Sequence, residues 1–139
     1  MTYYKEPIII EPIGWVRSEH RDCKAVPHNG WGRDIQSEID LLPDMEPAAR
    51  EIQPGNLIWV LTWLHLAERQ VRRVYPRGDL SRPQKGVFST RSPARPNPIG
   101  LSLVEVLEVS ENSIRVKGLE VVDGTPVLDI KSYQSEMGR

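Results

Sequence analysis

Apolar and polar residues alternate with a period of two over "SEIDLL" (37–42), which sets Ile39 and Leu41 on one side and Glu38 and Asp40 on the other. That period predicts a half-buried strand. "NLIWVLTWLHL" (56–66) is a nearly continuous apolar run, rich in β-branched and aromatic residues. It predicts a central strand. "GLSLVEVLEVS" (100–110) predicts another, followed by a turn at Glu111-Asn112. "SIRVKGLEVVDGTPVLDIKSY" (113–133) reads as strand, Asp-Gly turn and strand, a hairpin pattern. Shorter β-prone segments are "IIIEPIGWV" (8–16), interrupted at Pro12, "RQVRRVY" (69–75) and "GVFST" (86–90). One short helix is expected over "PDMEPAAREI" (43–52), with Asp44 as N-cap and Pro47 in its first turn. Residues 17–36 have no such period and are expected to form an ordered loop, anchored by the aromatic of "HNGWG".

Strands outnumber helices, no βαβ alternation occurs, and no glycine-rich strand-to-helix turn is present, which argues against a Rossmann-type sheet. Short strands separated by Gly and Pro turns predict a mainly β fold, a small, mostly antiparallel barrel with one or two short helices. At 139 residues the chain is expected to be one domain, 1–139. Such a domain buries roughly 70% of its unfolded surface and needs no disulfide or metal to fold. Cys23 is the only cysteine, and His20, Cys23 and His28 lack a fourth ligand at a recognised spacing, so neither a disulfide framework nor a metal site is expected. No signal peptide and no apolar run near the ~20 residues of a membrane helix is visible, and a cytoplasmic protein is expected.

Charge changes the picture locally. The net charge is −1, which gives no global attraction to nucleic acid. Residues 69–95, however, hold Arg69, Arg72, Arg73, Arg77, Arg82, Lys85, Arg91 and Arg95 against Asp79 alone. A basic face on a neutral protein and a merely solvated arginine-rich surface both fit. Just beyond it lies "RSPARPNPIG" (91–100), with Pro93, Pro96 and Pro98 among Arg91, Arg95 and Asn97. Proline fixes its own φ and holds the preceding residue extended, so this loop is stiff before folding and presents its polar groups at small entropic cost. A rigid crossover with its arginines in water fits the residues equally.

"GVFSTRSPARPNPIGLSLVEV" followed by "GLEVVDGTPVLDIKSY" resembles the signature of the TsaA-like family, and "PIGWVRS" (12–18) and "LIWVLTWLH" (57–65) extend the resemblance over nearly the whole chain. The resemblance implies a small dimeric β-barrel that binds S-adenosylmethionine without a Rossmann domain. It also implies methyl transfer to the exocyclic nitrogen of threonylcarbamoyl-adenosine in the tRNA anticodon loop. Two positions depart from the tRNA-type pattern: Pro27-His28-Asn29 stands where Pro-Arg-Gln is usual, and Ser132 replaces the proline of Asp-Ile-Lys-Pro-Tyr. The larger bacterial members also carry a further C-terminal domain. A small-molecule methyl acceptor and a non-catalytic S-adenosylmethionine-binding module are therefore the alternatives.

The resemblance assigns cofactor contacts to Pro27, His28, Asn29, His65, Leu66, Arg91, Leu101, Leu119 and Glu120. A neutral His65 would hydrogen-bond adenine or ribose, Leu66 would offer its backbone, and Arg91 would clamp the methionyl carboxylate or a substrate phosphate. Arg95 and Asn97 are expected on the substrate side. Asp129, Lys131 and Tyr133 are the catalytic candidates: a carboxylate that orients an amine and takes its proton, a cation for a substrate anion, and a ring to stack on a base. Asp129 and Lys131 also fit an ordinary surface ion pair.

Overall fold

The computed structural model describes residues 1–19 and 35–134. Its strands are β1 (Gly14–Arg17), β2 (Gln36–Leu41), β3 (Leu57–Trp63), β4 (Arg73–Val74), β5 (Lys85–Gly86), β6 (Ile99–Ser110), β7 (Ser113–Lys117) and β8 (Pro126–Ser132). Six of them close a barrel in the order β1-β2-β7-β6-β3-β8, every pair antiparallel. β4 and β5 form a separate two-stranded excursion between β3 and β6. The expected fold class holds, and the expected loop 17–36 lies largely outside the described residues.

Inward side chains fill the barrel. Val16, Ile39, Ile58, Val60, Val104, Val106, Ile114, Val116, Leu119 and Val127 are buried in one cluster. β-branched residues dominate because a pleated wall favours side chains stiff at χ1. The apolar run of β3 does not make a strand buried on both faces. Ile58, Val60 and Thr62 point in and are buried, while Leu57, Trp59, Leu61 and Trp63 stay half-exposed on the outside. A barrel strand has one core face only, so the outer aromatic stripe is not explained by the core.

Several local expectations give way. The Asp123-Gly124 turn does not close a hairpin, because β7 pairs with β2 and β6 while β8 pairs with β1 and β3. Gly124 takes φ +84° and donates its N–H to Val16 O, and Asp123 accepts from the Ser18 N–H, so the turn ties β8 to β1. The two-residue hairpin joins β6 to β7 through Glu111 and Asn112, with Asn112 in the left-handed region. Residues 8–13 precede β1 and are not strand, and 69–75 contributes only β4. "GVFST" instead forms a 3-10 turn over Val87–Ser89. The helical segment splits into a 3-10 turn, Pro43–Met45, and α1, Glu46–Ala49; Asp44 caps nothing, lying inside the first turn after Leu42.

Candidate functional site

Three strands, β6, β3 and β8, build one outer wall. Trp63 faces Ile99, Leu61 faces Leu101 and Trp59 faces Leu103 across the β3–β6 ladder. On the other side of β3, Leu61 faces Asp129 and Trp59 faces Lys131. The register slips between Leu61 and Thr62, where Thr62 pairs with Val127 and Leu128 is the extra residue. Without that bulge, strict alternation after the buried Val127 would point Asp129 into the core. With it, Ile130 packs against the core, and Asp129 and Lys131 stand outside. Tyr133 then meets Trp59 edge-on, with centroids 6.0 Å apart. The three catalytic candidates are thus brought together beside an apolar strip.

Asp129 is fixed through both carboxylate oxygens. Oδ1 accepts the Ile130 N–H at 2.8 Å, and Oδ2 lies 3.5 Å from Lys131 Nζ. The ion pair that was the alternative reading of these two residues is present, and both partners are exposed to solvent.

The proline-rich loop borders the same wall. β6 pairs with β3 from Ile99 but with β7 only from Glu105, so its first half is a strand edge on one side. Arg91 Nη2 donates to the Leu101 carbonyl at 2.6 Å along that half. A guanidinium has further N–H donors in a planar fork, and no carboxylate among the described residues pairs with them. Arg95, expected on the substrate side, is turned onto its own loop. Nη1 donates to Ser92 O at 2.9 Å and Thr90 O at 3.2 Å, and Nη2 to Val87 O at 3.0 Å. The guanidinium gathers three carbonyls, of which Val87 O also accepts from the Thr90 N–H and hydroxyl, and this makes it the brace of the loop. Asn97 Oδ1 likewise accepts from Arg69 Nη2 at 3.1 Å.

His65 does not end a strand: β3 stops at Trp63, and His65 and Leu66 are exposed in a turn closed by Ala67 N–H to Leu64 O. That turn is tied to the loop by Leu64 N–H to Pro98 O at 2.8 Å. Leu119 and Glu120 lie after β7 rather than on a strand, and Leu119 is fully buried in the core cluster. Pro27, His28 and Asn29 lie outside the described residues, as do His20 and Cys23.

Residues 15–138 match the tRNA-methyltransferase O N-terminal domain family. The chain belongs to that family. Among its relatives, the probable S-adenosyl-L-methionine-binding protein of Methanothermobacter thermautotrophicus is 48% identical over 130 residues, spanning 94% of this chain and 93% of that one. The tRNA (adenine(37)-N6)-methyltransferase of Escherichia coli is 38% identical over 132 residues, spanning 88% of this chain and 56% of that one. The crystal structure of TrmO from Pseudomonas aeruginosa superposes with a TM-score of 0.77 at 28% identity, covering 99% of this chain and 60% of that chain. The chain thus spans about three fifths of the solved family member.

Within this family member, sequence reasoning missed Arg69 and the outer aromatics. Arg69 lies over the Trp63 ring at 5.1 Å and donates from Nε to Pro96 O at 2.8 Å, so it joins β3 to the proline-rich loop. The run of alternate large side chains Leu57, Trp59, Leu61 and Trp63 was the available signal, since a strand buried on one face has no structural need for tryptophan on the other.

Proposed function

We propose that the chain is an S-adenosylmethionine-dependent methyltransferase whose acceptor is the exocyclic nitrogen of a modified adenosine, threonylcarbamoyl-adenosine, in the tRNA anticodon loop. The observation that carries this reading is the bulge at Leu128, which turns Asp129, Lys131 and Tyr133 outward to the edge of the apolar wall. A cytoplasmic setting follows from that acceptor.

The residues present suit the cofactor's chemistry. An apolar strip at Leu61 and Leu101 suits a flat base, Arg91 has donors to spare for a carboxylate, and His65 is open to solvent one turn away. When bound, S-adenosylmethionine supplies an electrophilic methyl group. Asp129 then orients the acceptor amine through an N–H···Oδ hydrogen bond and takes the departing proton on the same carboxylate. The Ile130 N–H and Lys131 hold that carboxylate in one rotamer beforehand, which favours alignment over search. Tyr133, braced by Trp59, offers a ring edge or face to a base, and Lys131 faces the acceptor's anionic substituent.

A homodimer is part of the reading. Ile99, Leu101, Leu103, Trp59, Leu61 and Trp63 form one apolar wall that remains partly exposed, as an interface would. A second reading, a binding module without transferase activity, is favoured by the archaeal relative, named only as a binding protein. Calorimetry with S-adenosylmethionine, followed by tritiated-methyl transfer to bulk tRNA, separates the two. Cofactor binding with transfer supports the proposal, and binding without transfer to any tRNA pool supports the module. Light scattering that reports a monomer with cofactor bound would remove the dimer.

A further inference from the structure

Arginines on this protein fall into two kinds. Around β1, β2, β7 and α1 they are neutralised: Arg17 pairs with Asp40 at 2.9 Å, Arg115 with Glu38 at 2.8 Å and Arg50 with Glu46 at 2.9 Å. On the β4–β5 excursion they are held differently. Arg69 donates to Pro96 O, Arg72 Nη1 to Arg69 O at 3.3 Å, and Arg73 Nη2 to Gln84 O at 3.2 Å. A carbonyl oxygen orients a guanidinium without cancelling its charge. Among the described residues only Arg82 of this segment has a carboxylate partner, Asp79 at 3.5 Å. Arg77 sits at the tip with φ +56°.

Exposed rings accompany these charges. Phe88 is 81% exposed in the 3-10 turn after β5, directly beyond the Val87 N–H that bonds Arg72 O, and Tyr75 is 40% exposed beside β4. Neither ring supports the barrel core. The segment 69–88 carries several arginines and one lysine. Planar guanidinium forks match phosphate oxygens in pairs and stack on bases, which a lysine-rich, lipid-directed patch does less well.

We propose that the β4–β5 excursion is an RNA-docking surface, in which Arg72, Arg73 and Arg77 track backbone phosphates and Phe88 stacks on an unpaired base. It lies outside the group of Asp129, Lys131 and Tyr133, so it supplies affinity rather than chemistry. The inference rests on the reading of the acceptor as RNA. Binding is therefore measured without cofactor, separately from transfer.

The test is fluorescence anisotropy of the full chain with a labelled RNA hairpin, titrated at several salt concentrations. Three forms are compared with the wild type: Arg72→Gln/Arg73→Gln/Arg77→Gln, the same three positions changed to Lys, and Arg50→Gln as a control from a neutralised pair. Removing three phosphate contacts should lower the slope of log affinity against log salt by about 2–3. The lysine form and the control should keep the slope. Phe88→Ala should weaken binding to single-stranded RNA by about five- to a hundredfold. This pattern supports the surface even where no methyl is transferred, in which case the acceptor reading alone fails. An unchanged slope in the glutamine form overturns the surface, whether or not tRNA is methylated. So does a lysine form as weak as the glutamine form with its melting temperature intact, and so does charge-dependent binding to phosphatidylserine vesicles with none to RNA.

Discussion

Asp129 stands across from Leu61 on the outer wall, in register because Leu128 is looped out of the ladder. The pair marks the border between two chemistries. To one side of Leu61 lies Leu101, and to the other lies a carboxylate anchored by its neighbour's N–H.

Asp129→Asn should therefore separate catalysis from binding. The amide keeps the size and part of the hydrogen bonding but cannot take a proton. Turnover should fall about 10²–10⁴-fold with cofactor affinity and melting temperature nearly unchanged. Parallel losses of activity and melting temperature would mark Asp129 as structural. Near-normal turnover would remove it from the mechanism.

Arg91→Ala should weaken S-adenosylmethionine binding about ten- to a hundredfold, the scale of one charge-assisted hydrogen bond. Calorimetric titration reads it directly. The Leu101 carbonyl that Arg91 also serves is exposed enough for water to replace the lost donor, so the unfolding midpoint should move little. Equal cofactor affinity in the two proteins would leave Arg91 as a loop residue.

Arg95→Ala should do the opposite. The Ser92 and Thr90 carbonyls lose their donor while Val87 O keeps the Thr90 N–H and hydroxyl, and the variant should be about 1–3 kcal/mol less stable by urea denaturation. Arg95→Lys should recover only part of this, because an ammonium cannot span three carbonyls that a planar fork reaches.

Gly100→Ala tests the tight crossing of β3 and β6. A methyl at Gly100 would lie 2.5 Å from Thr62 Oγ1 and 3.2 Å from Leu64 Cδ2. Thr62 is fully buried and has no room to yield, so a loss of roughly 1–3 kcal/mol is expected from denaturant midpoints.

Acid should weaken the β1–β2 side. The Arg17 hydrogen bond, helped by the Ser113 hydroxyl and opposed by partial burial, holds the Asp40 carboxyl below its ordinary value. A folded value below the unfolded one contributes stability above the unfolded range, and that stability is lost as the pH falls through the folded value. Asp40→Asn should then be less stable than wild type at neutral pH, with the gap closing in acid. Urea midpoints across a pH series read the convergence, and a constant gap would deny the linkage.

Much of this architecture was legible because barrel strands obey a simple period. Ile39 and Leu41 alternate cleanly, and Glu111-Asn112 reads as the turn that proves to join β6 to β7. What was not legible depends on partners far apart in sequence. Asp123-Gly124 has hairpin chemistry, yet its strands find other neighbours, since a closed barrel can use a tight turn to tie its first strand to its last. The site was half-legible for the same reason. Asp129, Lys131 and Tyr133 share a face by plain alternation, but that face is the outer one only because of a bulge, and no local pattern in "VLDIKSY" announces one. Arg95 looked like Arg91 in sequence; only the positions of Val87, Thr90 and Ser92 in space separate the brace from the arginine with donors to spare.

The barrel closes by joining its first strand to its last, and this seam is short: β1 pairs with β8 at Gly14–Val127 and Trp15–Pro126, extended by hydrogen bonds of Val16 with Thr125 and Gly124, whereas β3 holds β8 at five positions. Such a closure spans nearly the whole sequence and forms against the largest loop entropy in the fold. The seam is accordingly where the wall should unzip most easily, with amides of β1 exchanging before those of β3. Because Asp129 and Lys131 hang from the β3 side, the cylinder can part along that line and reseal while the edge that carries them keeps its shape.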